Sequence, residues 1–243
     1  MSPQLLAQIW GTHLETAKRT LDATTQRGVR SLLNPTMTCI YRTNNQQLRY
    51  RLLSHDMFTD TLEASVCSWF RQNRYAQVFA TAFGWCRVYP MKRKHDAHHG
   101  LSLMAAQDGV PPHLIMDGSE EQTLGEFRKK AMQFGCHIIQ SKPYPPWQIM
   151  AEGAIRELKR GSGRKMMKSL SPAKLWDHCI ELEALIRLHT ALDIYEMQRQ
   201  VPETLLSGKT AGISPFIEHE WYNFVKWFDH GGSFPEPKEV LGR

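Results

Sequence analysis

The spacing of apolar residues along the chain changes character twice. In residues 1–30 it is helical: Leu5, Leu6, Ile9 and Trp10 form one stripe, with Ser2 as cap and Pro3 at the first helical position. Gly11 ends the stripe. Thr12 and Glu15 have the Thr-x-x-Glu spacing of a capping box, opening a second helix with Leu14, Ala17 and Leu21 on its buried face. The pair reads as a packing hairpin, with a DNA-docking helix–turn–helix exposing Lys18 and Arg19 as the alternative. Residues 31–53 are irregular and basic.

From residue 54 the texture is different. MFTDTLEAS, YAQVFATAFG and CRVYPM read as strands, with Gly84 at a hairpin turn between the last two. A helix is predicted from about Asp96 to Gln107, followed by the short apolar strand HLIM, which runs into Asp117-Gly118. A helix from about Glu120 to Phe134 and the strand CHIIQ come next. Pro143, Pro145 and Pro146 introduce a long amphipathic helix to about Lys159, and Gly161-Ser162-Gly163 reads as a break. Ser171-Pro172 caps another helix, with Leu175, Cys179, Leu182, Ile186 and His189 near one face. Strands first clustered, then alternating with helices, predict a mixed sheet with helices on its faces, an α/β architecture. Beyond 195 the chain is punctuated by proline and glycine, and WYNFVKWFD sets Trp221, Phe224, Val225 and Phe228 at helical spacing. The regions are therefore 1–53, a helical pair and basic linker; 54–195, the core; and 196–243, a C-terminal extension.

Composition narrows the class. Of 243 residues 42% are hydrophobic and 22% charged, which excludes a disordered tail, a fibrous repeat and a disulfide-stapled miniprotein. No apolar run approaches the ~20 residues of a membrane helix, and MSPQLLAQIW lacks the basic and apolar regions of a secretory signal. The expectation is a protein that is neither secreted nor in the membrane. Cys39, Cys67, Cys86, Cys136 and Cys179 are odd in number and include no CxxC, so a reducing compartment is expected. A net charge of +6 says little by itself; its distribution says more. Lys92-Arg93-Lys94 ends a strand, and Arg156, Lys159, Arg160, Arg164, Lys165 and Lys168 face only Glu157 in their stretch.

Three carboxylates stand out. Strand alternation puts Asp60 in mid-strand on one face with Phe58, Leu62 and Ala64, where an acidic residue is costly unless paired or bound to a cation. Asp56, its rival, lies at the strand's start, where solvation accounts for it. Asp117 ends the HLIM strand, at the carboxyl end where α/β sheets place ligands. Glu152 lies on the helix after the proline cluster, and its i+4, i+7 and i+8 neighbours are Arg156, Lys159 and Arg160. Such a set could hold two divalent cations about 3.5–4 Å apart. Hard oxygen ligands suit Mg2+ or Mn2+, and the adjacent basic residues suit a polyanion.

These segments resemble the catalytic core of retroviral and LTR-retrotransposon integrases, copia-type elements above all. DGSEEQTLGEF is similar to the family's Asp-Asn-Gly…Glu-Phe segment, with Asp117 as second catalytic carboxylate and Glu126-Phe127 opening the body of the next helix. PYPPWQIMAEGAIRELKR is similar to the Pro-Tyr-x-Pro-x-x-Asn-Gly…Glu helix, with Glu152 third, and FTDTLEAS supplies Asp60 as first. Between Asp117 and Glu152 lie 34 residues, one fewer than the usual retroviral spacing, and VPETLLSGKTAGIS resembles the stretch that follows copia-type cores. The resemblance spans about 55–215.

It implies a ribonuclease-H-like, mixed five-stranded sheet flanked by helices, with a small N-terminal helical segment. It further implies metal-dependent cleavage and strand transfer at element ends and target DNA. Asp60, Asp117 and Glu152 would act as catalytic and metal residues with two Mg2+ (or Mn2+) ions, and Arg156, Lys159, Arg160, Arg164 and Lys165 as DNA contacts. The expected partners are DNA and further copies of the chain, and the expected location is the nucleus or a cytoplasmic element particle. The chain departs from the family pattern in having no CxxC for an N-terminal zinc module, and in Ile149 and Met150, which replace a polar and a small residue before Glu152. Gly100 interrupts a helix, and His95, His98 and His99 cluster on its surface, where zinc binding is a minor alternative. Two other readings stay open: an element-derived DNA-binding or assembly protein without chemistry, and a nuclease of this fold without strand transfer.

Overall fold

The computed structural model describes residues 1–26, 50–116, 125–140, 148–193, 200–228 and 239–242. Strands β1 (Met57–Glu63), β2 (Tyr75–Ala80), β3 (Cys86–Met91), β4 (His113–Met116) and β5 (His137–Gln140) form one sheet in the order β3-β2-β1-β4-β5. The first three are antiparallel, and the β2–β3 hairpin closes through Thr81–Trp85 with Gly84 at φ 86°. β4 and β5 run parallel to β1 because a helix carries the chain back each time: α1 and α2 are N-terminal, and these crossovers are α3 (Ala97–Gln107) and α4 (Glu126–Gln133). This is the expected α/β class, a mixed five-stranded sheet flanked by helices.

Each face of the sheet has its own apolar layer. On one, Met57, Phe79 and Leu114 meet Leu101 and Met104 of α3 and Phe127 and Ala131 of α4. Gly100 belongs to this contact: a Cβ there would lie 3.1 Å from Tyr89 Cβ, so the glycine lets α3 approach the sheet rather than breaking the helix. On the other face, Leu62, Val78 and Val88 meet Ile155 and Leu158 of α5 (Gln148–Ser169) and Ile180 and Ala184 of α6 (Trp176–Leu188).

The N-terminal pair forms as α1 (Pro3–Trp10) and α2 (Leu14–Ala23). The Ser2 hydroxyl accepts from Leu5 N–H at 3.2 Å, and Gly11 adopts φ 66° between the helices. The capping box does not form. His13 takes the cap position, Glu15 turns to Lys18 at 2.8 Å, and the Thr12 hydroxyl is buried without a partner. Leu14 is exposed as well. Leu6, Trp10 and Ala17 pack on Ile186 of α6 and on Ile213, and Trp10 Nε1 donates to the Phe216 carbonyl at 2.8 Å.

Past α7 (Pro202–Ser207), residues 225–228 are not helical. They form β6 (Val225–Phe228), antiparallel to β7 (Glu239–Gly242). Trp221, Phe224, Val225 and Phe228 fit a helical period, but the β-branched and aromatic VKWF segment has a strand to pair with, and that pairing prevails.

At the edge of the sheet Arg87 forks onto Asp108, with nitrogen–oxygen distances of 3.0 and 3.2 Å. Glu203 of α7 faces this pair. Its Oε2 is buried without a hydrogen-bond partner, and burial pushes its carboxyl above the ordinary 4.5, an effect the Arg87 charge opposes. An acid whose pKa is higher in the folded state costs stability above that pKa, and the cost disappears below the unfolded value. Glu203→Gln is therefore expected to raise the Tm at pH 7, with the gain closing as the pH falls through the carboxylate range. A gain that is constant with pH would assign the effect to packing instead.

Candidate active site

Asp60 is the fourth residue of β1 and stands opposite Val78. Because Val78 and Leu62 both belong to the layer under α5 and α6, alternation puts Asp60 on that same face. It is half-buried, and its Oδ1 accepts from the Thr61 N–H at 2.7 Å. The opposite face of β1 carries a closed polar chain: Thr61 donates to Gln77, Gln77 to Thr59, and Thr59 to the Val78 carbonyl. Those groups satisfy one another.

Glu152 lies in the first turns of α5, exposed and flanked by buried Ala151 and Ile155. The α5 helix packs across β1 and β2, so the sheet face that bears Asp60 is the one covered by the helix that bears Glu152. Asp117 lies outside the described residues. Met116, which precedes it, pairs with Thr59, which precedes Asp60. Asp56 faces His113, whose Nδ1 is 2.8 Å from Asp56 Oδ1, a cross-strand pair at the start of β1 and β4. Met150 is exposed, and the side chain of Ile149 lies outside the described residues.

Arg156, Lys159, Arg160 and Arg164 are exposed along α5. Arg160 has a loose partner in Glu157 at 3.9 Å. Lys165 departs from the expected DNA contact. It turns inward to a buried ion pair with Glu183 and donates to the Trp10 carbonyl at 3.1 Å. Its position is periodic: Ile155, Leu158, Ser162 and Lys165 follow one buried stripe, a signal that the charge run masks. The helix is also continuous through Gly161-Ser162-Gly163 to Ser169. Gly161 is needed there because a Cβ would come 2.0 Å from Glu183 Oε1.

Among the described residues no cluster of three His, Cys, Asp or Glu side chains forms a metal site. His95 meets His98 edge-on with ring centroids 5.7 Å apart, His98 lies tilted against His99 at 4.0 Å, and His98 Nδ1 lies 2.9 Å from the His95 carbonyl. Burial pushes the thiols of Cys86 and Cys136 up to about 11 and that of Cys179 to about 12, so these three are protonated and unreactive at neutral pH. Asp60 and Glu152 are hard oxygen donors, of the kind a magnesium- or manganese-type cation takes.

No protein-family model matches the chain, and no curated protein does. Among solved structures it is similar to the catalytic core domain of BIV integrase, with 14% identity, a TM-score of 0.49, and 64% of this chain covering 95% of that one. It is also similar to a chain of the simian T-cell lymphotropic virus intasome solved in complex with PP2A regulatory subunit B56 gamma. There the identity is 17% and the TM-score 0.49, and 65% of this chain spans 56% of that one.

Proposed function

We propose that this chain is the integrase catalytic core of an LTR retrotransposon of copia type, which cleaves and joins DNA phosphodiesters. The observation that carries the reading is the placement of Asp60 in mid-β1 on the face covered by the helix of Glu152 and its exposed arginines. The motif around Asp117 supplies the remaining carboxylate, second in that family's order, with 34 residues between it and Glu152. Asp60, Asp117 and Glu152 would hold two Mg2+ or Mn2+ ions, which when bound supply charge neutralisation at the attacking and leaving oxygens.

The protein's own groups do the rest. Arg156, Lys159, Arg160 and Arg164 hold DNA phosphates along α5 and set the register of the strand, so affinity falls with salt. The rigid packing of α5 on β1 keeps Glu152 on the Asp60 side as substrates exchange. Element ends and target DNA are the proposed substrates, further copies of the chain the proposed partners, and the nucleus or an element particle the proposed location.

The test is a disintegration assay on a branched DNA substrate with manganese, beside the Asp117→Asn variant. It needs the transesterification but little of the element's end sequence. Product from the parent chain that is lost in the variant is expected. Product that persists undiminished in the variant would refute the site, and no product from folded, DNA-binding protein would favour an assembly protein without chemistry.

A further inference from the structure

The C-terminal half of α5 borders a second recess, of about 620 Å3, whose other walls are the α1–α2 turn, α6 and residues 220–224. It lies roughly 18 Å along the helix from Glu152, twelve residues at about 1.5 Å each. Four cations line it, and two are neutralised: Lys165 by Glu183 and Lys168 by Glu220 at 3.0 Å. Arg164 and Arg187 have no ion-pair partner among the described residues. Arg187 is the more telling of the two. Its Nε is buried without a hydrogen-bond partner, and its guanidinium lies beside the Cys86 thiol, a weak acceptor. A guanidinium left short of acceptors in a recess is matched best by a phosphate, which takes its planar fork.

One wall, residues 221–224, carries aromatic rings. Trp221 is anchored through Nε1 to the Ser171 hydroxyl at 3.0 Å, and Phe224 is 59% exposed. Tyr222 holds φ 61°, a left-handed backbone that a bulky residue seldom takes, so the turn displaying these rings is fixed at a cost in strain. Aromatic rings beside free cations are what single-stranded nucleic acid uses: bases stack and phosphates pair. A recess of this size accepts a nucleotide but not a duplex. Arg156, Arg160 and Arg164, spaced four apart and all exposed, lead to it along α5 from the Glu152 end.

We propose that this recess is a binding site for an unpaired DNA strand, with Arg164 and Arg187 on its phosphates and Phe224 stacked on a base. The proposal rests on reading the chain as one that acts on DNA. It is independent of whether Asp60 and Glu152 perform chemistry, and the assay runs in EDTA so that the two can fail separately.

The experiment measures fluorescence anisotropy of labelled oligo(dT) and of a blunt duplex of equal length against the full chain, Arg164→Gln and Phe224→Ala. Both altered side chains are exposed, and circular dichroism with a melting curve checks that each variant folds. Phe224→Ala is expected to weaken oligo(dT) about tenfold with the duplex unchanged. Arg164→Gln is expected to weaken oligo(dT) more than the duplex and to flatten the slope of log affinity on log salt by about 0.7. Should Phe224→Ala not fold, Arg164→Glu carries the comparison by itself and must lower strand affinity more than duplex affinity. Equal losses on strand and duplex, or no loss from either variant, would overturn the proposal.

Discussion

Asp60→Asn is expected to lower disintegration activity by about 10³ or more while DNA affinity stays within about twofold. The substitution keeps size and shape and removes only the charge. Asp60 is a half-buried carboxylate in mid-strand, beside Val78 and Leu62 of a layer built from apolar side chains. An asparagine can still accept the Thr61 N–H through its side-chain carbonyl. The Tm is therefore expected to hold, since the substitution keeps that contact and the side chain's shape. Activity and Tm falling together would mark Asp60 as a structural aspartate and leave the proposed site without its first member. Glu152→Gln should reproduce the activity loss, again without a loss of stability, since Glu152 is exposed.

The second large effect is on stability. Gly161→Ala places a methyl group where Glu183 Oε1 and Cδ now lie, 2.0 and 2.3 Å from the added carbon. Glu183 cannot swing away without leaving Lys165 unpaired, and both side chains are nearly buried, at 8% and 10% exposure. Breaking one partner from a buried pair costs about 3–5 kcal/mol, far more than the roughly 1 kcal/mol by which alanine outranks glycine in a helix. Denaturant unfolding of the variant should show a midpoint shift of that size, with an unchanged slope. The double variant Gly161→Ala/Glu183→Ala tests the cause: the two losses should fall well short of adding, because they remove the same contact.

Asp60 and Gly161 differ in how far a single sequence reveals them. The strands were legible because alternation is a property of neighbouring residues: HLIM, CHIIQ and FTDTLE read as strands and form β4, β5 and β1. Asp60 was legible for the same reason, as an acid out of place in such a pattern. Gly161 was not, because its meaning depends on Glu183, a residue on another helix. In the sequence Lys165 is one more member of a basic run, whereas in the fold it continues the buried stripe of Ile155 and Leu158. The capping-box spacing of Thr12 and Glu15 met a nearer rival in Lys18. Arg187 offered no local signal at all, for its consequence arises only where α6, α5 and residues 220–224 converge.

The docking of the first two helices bears on how the chain is made. Trp10 donates to a carbonyl 206 residues further on, and Leu6 and Ala17 share their layer with Ile186 and Ile213. A ribosome adds about 5–20 residues per second, so the helix pair emerges on the order of ten seconds or more before its seat has been synthesised. Throughout that interval the helix pair has only its own apolar side chains to share, and the carbonyl that Trp10 pairs with is not yet made. The sheet, whose strands are closer in sequence, can assemble first and receive the helices last. A nascent chain arrested before residue 213 should then show Trp10 accessible to a hydrophobic probe, and one extended well past residue 216 should not.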